Sequence, residues 1–494
     1  MAAAAGSAGV VCWSRAEKQH APVRGGGTSV TSSTSGSGHA SLKGSFDRLQ
    51  GNRLLPQALT MPSLFRAKRN GRRTPGNAVT NFGKSEFHRE ISGSTRATTQ
   101  VAEATTAGLR ETIEDRAIID GHSHSFEGIQ SEEELMQVIE KEVESGRLPK
   151  RAGAGMVELY RNYRDAVVSS GVENAMDIVV KVMSTVLDRI LLQFEEPFTF
   201  GSHHKRMVEP YDYYTFGQNY VRPLLDFRNS YLGNLKIFDQ IEKNLKEGHN
   251  VIFLSNHQTE ADPAVMALLL EHSHPYLAEN LTYVAGDRVV LDPFCKPFSM
   301  GRNLLCVYSK KHIHDVPDLA EMKIKANAKT LRQMTILLRQ GGQLLWVAPS
   351  GGRDRPDPET NEWVPAHFDS SAVENMKRLS DIVRVPAHLH ALSLLCFEIM
   401  PPPVQVQKEL GERRAVGFSG VGLAVSEQLD YDSIAKLVDD SKNAKDAFSD
   451  AAWSEVNDMY NVLKEAIYGD QGCAVSTDSL RLEQPWFDGS RRTD

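Results

Sequence analysis

The sequence predicts an α/β protein: a mostly parallel mixed sheet covered by helices, preceded by a small N-terminal helical bundle. Three observations carry this. Beyond about residue 230, short apolar runs alternate with longer segments whose apolar residues recur every three or four positions. Between residues 105 and 200 only the helical spacing occurs. Before residue 100 neither pattern is present, and Ser, Thr, Gly, Ala and Arg dominate. The expected organisation is a disordered segment over 1–100, a helical bundle over 105–200 and an α/β domain over 210–494.

The 494 residues suffice for a sizeable core without disulfide staples. The five cysteines (Cys12, Cys295, Cys306, Cys396, Cys473) are odd in number and lack C-x-x-C spacing, which argues against a disulfide framework or a zinc ribbon. No run of 18 apolar residues exists, so no membrane span is expected. The net charge of −7 hides an asymmetry. Residues 1–100 hold 14 Lys and Arg against four acids, a balance of +10. The rest holds 42 basic and 59 acidic residues, a balance of −17. A basic, Ser-rich, acid-poor start without an apolar h-region has the composition of a disordered transit peptide rather than a secretory signal. The alternative is a basic tail that binds nucleic acid through Arg66, Lys68, Arg69, Arg72 and Arg73.

In the bundle, Ser131 and Glu134 form a capping box that opens a helix over Glu132 to Glu144, and Gly146 is placed to end it. Apolar spacing continues over Val157 to Val168 and Ala175 to Phe194. Pro210 to Pro223 reads as a linker. A helical stripe through Leu232, Leu235, Phe238, Ile241 and Leu245 closes at Gly248. Strands are expected at Val251–Leu254, Leu281–Ala285, Leu304–Tyr308, Leu344–Ala348 and Leu392–Ile399. Helices are expected at Pro263–Leu270, Leu319–Arg339 (ended by Gly341 and Gly342) and from Tyr431 to Tyr468.

In open α/β sheets, ligands bind beyond the carboxyl ends of strands. Three such ends carry dense polar groups. The first is Ser255-Asn256-His257-Gln258-Thr259-Glu260-Ala261-Asp262-Pro263. A carboxylate on one ring nitrogen of His257 would hold its tautomer and stabilise the imidazolium formed when the other nitrogen takes a proton. Asp262 can also be read as a helix N-cap with Pro263 at the first helical position. The second end is Tyr308-Ser309-Lys310-Lys311-His312, and the third is Pro349-Ser350-Gly351-Gly352-Arg353-Asp354-Arg355-Pro356. Arg353 and Arg355 offer forked donors suited to phosphate. Together these ends suggest a phosphorylated substrate whose hydroxyl is deprotonated by His257. No G-x-S-x-G, G-x-x-x-x-G-K-[ST] or H-E-x-x-H motif occurs. Four H-x-H pairs do occur, at His122/His124, His272/His274, His312/His314 and His388/His390, without supporting carboxylate or Cys spacing.

The segment Asn256 to Pro263 resembles the H-x4-D signature of the glycerolipid acyltransferase superfamily. Its Gln-Thr-Glu-Ala filling looks like the plastid, soluble glycerol-3-phosphate acyltransferase branch. Lys296 to Asn303, Lys310 to His312, Ala348 to Pro356 and Val385 to Leu389 agree with that branch in order, and the resemblance covers about residues 105–494. It implies transfer of a fatty acyl group from acyl-[acyl carrier protein], or acyl-CoA in a related reading, to the sn-1 hydroxyl of glycerol 3-phosphate, giving lysophosphatidate. It implies His257 as general base and Asp262 as its orienting carboxylate, with Lys311, His312, Arg353 and Arg355 holding the phosphate. It implies the plastid stroma as location and no nucleic-acid partner, with peripheral membrane contact allowed. A thioester is already activated, so neither metal nor organic cofactor is expected. An enzyme of balance −17 that meets acidic substrates must concentrate its cations locally. A second cationic patch for the carrier is therefore expected.

Overall fold

The computed structural model describes residues 126, 128–403, 413–438, 441–469, 480–482 and 484. All of them fall in one unit, Gly93–Asp494. The expected transit peptide over 1–100, with His122 and His124, lies outside the described residues.

The chain opens with three helices, α1 (Glu132–Glu144), α2 (Lys150–Ser169) and α3 (Ala175–Glu195). The Ser131 side chain accepts the Glu134 N–H at 3.2 Å, as the capping box requires. The Glu134 carboxylate reaches back one residue further than the box motif, to the Gln130 N–H at 2.8 Å. Gly146 ends the turn at φ 80°, where a Cβ would be strained.

The α/β part follows as β1 (His203–His204), α4 (Tyr213–Val221), β2 (Tyr231–Gly233), α5 (Leu235–Lys246), β3 (Asn250–Ser255), α6 (Asp262–Leu270), α7 (Pro275–Asn280), β4 (Thr282–Gly286), α8 (Asp287–Leu291), α9 (Lys296–Met300), β5 (Asn303–Val307), α10 (Pro317–Gln340) and β6 (Leu344–Val347). After the short β7 (Arg355–Pro356) and β8 (Trp363–Val364) come α11 (Ser370–Val383), β9 (Ala387–Leu395), β10 (Gly422–Gln428), α12 (Tyr431–Ala435), α13 (Ser441–Tyr468) and β11 (Leu480–Arg481). Nine strands form one sheet in the order β1-β5-β4-β6-β3-β9-β10-β2-β11. The inner strands β5, β4, β6, β3 and β9 run parallel. Antiparallel pairs lie at β1–β5, β9–β10 and β2–β11.

The central strand shows why the sheet is covered on both faces. Along β3, Val251 and Phe253 join a core cluster with α1, α2, α3 and α6. Ile252 and Leu254 join a second cluster with α10 and α11 on the opposite face. Side chains alternate across a strand, so an unbroken apolar run demands two apolar neighbours. A fully buried Leu, Ile or Phe contributes roughly 1.5–3 kcal/mol. A third cluster packs α13, through Val456, Tyr460 and Leu463, on β9 and β10. The first cluster runs continuously from Leu135 and Tyr160 of the helical segment to Phe253 and Val265, so the bundle helices share the core of the sheet.

Several expectations needed correction. The expected linker holds α4, whose Tyr213, Phe216 and Tyr220 form a buried helical face between the two prolines. The strand expected at Leu392–Ile399 is instead Ala387–Leu395, because His388 and His390 are accommodated on the ladder. The imidazole of His388 meets His249 at 3.0 Å and Gln428 at 2.7 Å. The tail divides into α12 and α13. Strand β10 and helix α11 were not anticipated.

Gly301 ends α9, and a Cβ there would lie 2.2 Å from the Tyr213 carbonyl oxygen. Because the obstacle is backbone rather than a flexible side chain, Gly301→Ala is expected to destabilise the fold by about 1–3 kcal/mol. A urea denaturation midpoint equal to wild type would contradict this.

Candidate active site

Strands β3, β4, β5 and β6 are parallel neighbours, so their carboxyl ends open at one rim of the sheet. The three polar segments singled out in the sequence are the loops leaving β3, β5 and β6 at that rim.

The loop after β3 is built around one buried carboxylate. Asp262 is fully buried. Its Oδ2 meets His257 Nδ1 at 2.7 Å and accepts the Gln258 N–H at 2.8 Å. Its Oδ1 accepts the Thr259 N–H at 2.8 Å, the Thr259 hydroxyl at 3.1 Å and the Cys396 thiol at 3.2 Å. Burial and the adjacent Asp262 charge hold the Cys396 thiol well above its ordinary pKa, so it serves as a donor. The N-cap reading of Asp262 is superseded. Ala261 occupies the cap, Asp262 is the first helical residue, and its side chain turns back on the preceding loop. With Nδ1 occupied by the carboxylate, Nε2 is the nitrogen of His257 available to a substrate. The ring is about a quarter exposed and stands edge-on to Trp346, with centroids 5.5 Å apart.

Asn256 and Gln258 stitch this loop to neighbouring elements. The Asn256 amide donates to the Leu394 carbonyl at 2.9 Å and accepts the Leu394 N–H at 2.9 Å. It also donates to Asp354 at 3.0 Å. Gln258 accepts the Cys396 N–H at 2.6 Å and donates to the Tyr460 hydroxyl at 3.2 Å. The imidazole is therefore referenced to β3, β9 and α13 together.

The loop after β6 comes directly alongside, since the Asp354 N–H donates to the His257 carbonyl at 2.6 Å. Arg353 lies 3.8 Å from Glu260, inside the H-x4-D segment, and Arg355 donates to the carbonyls of Arg353 and Asp354 at 3.0 and 2.8 Å. His312 sits on a 3-10 turn, exposed, with Nδ1 2.9 Å from Asp315. Lys311 is on the same turn, and its side chain lies outside the described residues. The structure thus brings Arg353 into the neighbourhood of His257, while His312 is engaged with its own turn.

Sequence reasoning missed the residues that organise this centre. Burial works against the charge of Glu260, yet Arg414 at 2.8 Å and Arg353 hold its carboxyl below the usual range. Arg414 also meets Asp292 at 3.1 Å, and its carbonyl accepts from Asn162 of α2 at 2.9 Å. No local signal marks Arg414, because it stands 154 residues from its partner. Arg151, Arg413 and Arg414 border an open pocket of about 340 Å³ walled by Leu159, Phe194 and Phe294. Arg413 is paired with Glu158 at 2.8 Å and Arg414 with Glu260, so this cationic rim is largely compensated. Among the described residues, no group of three or more His, Cys, Asp or Glu gathers as a metal site would. Among them too, no helix is long and apolar enough to cross a membrane.

Truncating the organising carboxylate would leave the Gln258 and Thr259 N–H groups buried without acceptors. Asp262→Ala is expected to lower stability by at least about 2 kcal/mol. Asp262→Asn, which retains one acceptor oxygen, is expected to lose less. Equal urea midpoints for the two variants would contradict this account.

Two family descriptions match the chain: "Glycerol-3-phosphate acyltransferase N-terminal" over residues 123–198 and "Acyltransferase" over residues 236–390. A chloroplastic protein of Cucurbita moschata, glycerol-3-phosphate acyltransferase ATS12, is 54% identical over 383 residues, covering 78% of this chain and 83% of that one. Chloroplastic glycerol-3-phosphate acyltransferases of Arabidopsis thaliana and Spinacia oleracea are 52% and 51% identical over 365 and 364 residues. Each alignment covers 74% of this chain, and 80% and 77% of those relatives respectively.

Proposed function

The chain belongs to the family of chloroplastic glycerol-3-phosphate acyltransferases, and from that premise we propose that it transfers a fatty acyl group from acyl-[acyl carrier protein] to the sn-1 hydroxyl of glycerol 3-phosphate. That it is an acyltransferase follows from the family. The chloroplast location implied by the resemblance, with the transit-peptide composition of the first hundred residues, agrees with the names of the relatives. The division into a targeting segment, a helical domain over 105–200 and a catalytic domain over 210–494 is part of the same reading.

The observation that carries the mechanism is the 2.7 Å contact between His257 Nδ1 and the buried Asp262 carboxylate. Asp262 keeps the proton on Nδ1, leaving Nε2 basic toward the sn-1 hydroxyl. As His257 takes that proton, the oxygen attacks the thioester carbonyl and a C–O bond forms. The tetrahedral adduct collapses, the C–S bond breaks, and the thiolate leaves with the proton returned by His257. Such general acid–base catalysis is worth about 10²–10⁴-fold. The imidazolium formed on the way is stabilised by the negative charge of Asp262, which its five donors keep in place. Arg353 and Arg355, with Lys311 and His312, would bind the phosphate and so fix which hydroxyl approaches Nε2. A preference for the sn-1 position then follows from the distance between the phosphate anchor and the base.

The direct test incubates the purified protein with radiolabelled glycerol 3-phosphate and either acyl-[acyl carrier protein] or acyl-CoA. Labelled lysophosphatidate acylated at sn-1, formed faster from the carrier-bound donor, is the expected result. Faster turnover with acyl-CoA would overturn the donor assignment, and an sn-2 product the regiochemistry. His257→Ala is expected to reduce kcat by about 10²–10⁴-fold with glycerol 3-phosphate binding intact. Arg353→Ala is expected to raise KM for glycerol 3-phosphate by about tenfold or more while sparing KM for the donor, having lost a charge-assisted contact. Equal effects on both substrates would remove Arg353 from the phosphate site.

A further inference from the structure

A second carboxylate is buried beside the first and takes no part in the mechanism above. Asp354 is 0% exposed. It lies between Arg353 and Arg355 in the loop after β6. Four hydrogen bonds run through this residue. Its Oδ1 accepts the Ala366 N–H at 2.9 Å, and its Oδ2 accepts from Asn256 Nδ2 at 3.0 Å. Its own N–H donates to the His257 carbonyl at 2.6 Å, and its carbonyl accepts from Arg355 at 2.8 Å. One residue therefore ties the two arginines to the backbone of His257.

We propose that Asp354 is a positioning residue that sets Arg353 and Arg355 at a fixed offset from His257, so that it governs capture of the glycerol 3-phosphate phosphate rather than proton transfer. This rests on the reading of the two arginines as phosphate ligands.

The donors around Asp354 dictate the form it must take. Asn256 cannot rotate its amide to offer an oxygen, because both of its ends are committed to Leu394. The Ala366 N–H can only donate. Both carboxylate oxygens thus face donors, and only the ionised form satisfies both at full strength. Burial opposes that form and pushes the Asp354 carboxyl up to about 7. The N–H of Ala366, the amide of Asn256 and the charge of His257 pull it down, while Asp262 pushes it up. Cys396 and the Tyr460 hydroxyl are the other titratable groups that feel it from β9 and α13. The sign follows. As pH rises through neutrality, Asp354 ionises, both bonds reach full strength and the arginines are held. As pH falls, the tie loosens and the phosphate site spreads.

The test is steady-state kinetics of the full chain between pH 6 and 9, a span set by that value, with wild type, Asp354→Asn and Arg353→Ala compared at each pH. The phosphate of the substrate itself titrates near about 6, and the variant comparison removes that common contribution. In Asp354→Asn an amide NH₂ meets the Asn256 NH₂. KM for glycerol 3-phosphate at pH 8 should therefore rise by about tenfold with a smaller change in kcat. The inflection in KM near neutrality seen in wild type should disappear. If Arg353→Ala leaves that KM unchanged, the phosphate reading fails and this inference with it. If Arg353→Ala raises KM while Asp354→Asn matches wild type in KM and pH profile, or loses only kcat, this inference alone is overturned. Should thermal melts show Asp354→Asn unfolded, Ala366→Pro carries the test. It deletes one donor and keeps the carboxylate, so the inflection should move to higher pH, and an unmoved inflection overturns the proposal.

Discussion

The arrangement of the loop at the sheet rim depends on one buried group, the carboxylate of Asp262. A charge with no exposure to water is tolerable only when its lone pairs are used. Here two backbone N–H groups, a hydroxyl, a thiol and an imidazole use them. Those donors come from the β3–α6 loop and from Cys396 at the end of β9. The group that orients His257 is thus also the group that folds the loop presenting it. Removing the oxygen that holds the imidazole also orphans the backbone that carries it.

Around this anion the protein arranges cations against its own charge. The chain beyond residue 100 has a balance of −17, and both proposed substrates are anionic. Long-range repulsion therefore works against their approach, and local geometry must supply the attraction. Glu260 sits between Arg353 and Arg414. Its carboxylate keeps two guanidinium groups near the same place without letting their repulsion part them. Arg414 carries the arrangement outward to Asp292 and, through its carbonyl, to Asn162 of α2. The helical segment is in this way linked to the β3–α6 loop by polar contacts as well as by the shared apolar core.

The two buried carboxylates near His257 differ in their surroundings. Asp262 is surrounded by five donors. Asp354, equally buried, has two donors to its side chain and a raised pKa. With only two donors to its carboxylate, Asp354 has burial as the largest influence on its carboxyl, which is pushed up to about 7.

Local patterning alone determined the fold class, the central strands, the capped first helix and the H-x4-D pair. Strands β3 to β6 are continuous apolar runs between breakers, and His257 and Asp262 are close enough in sequence to meet across one turn. The helix α4 was legible too, in the spacing of Tyr213, Phe216 and Tyr220, but was masked by flanking prolines. Composition also marked the first hundred residues as different from the rest. Only the tertiary structure decided the remainder. Sheet order brings the β6 loop against His257, and Asn256 joins β9 to that loop across 138 residues. Arg414 closes on Glu260 from the segment before β10. These are side chains whose partners are distant in sequence, and a pattern of period two or 3.6 carries no information about them. Burial is what assigns their roles, since it is set by packing of the whole sheet against α10, α11 and α13 rather than by any residue's own neighbours.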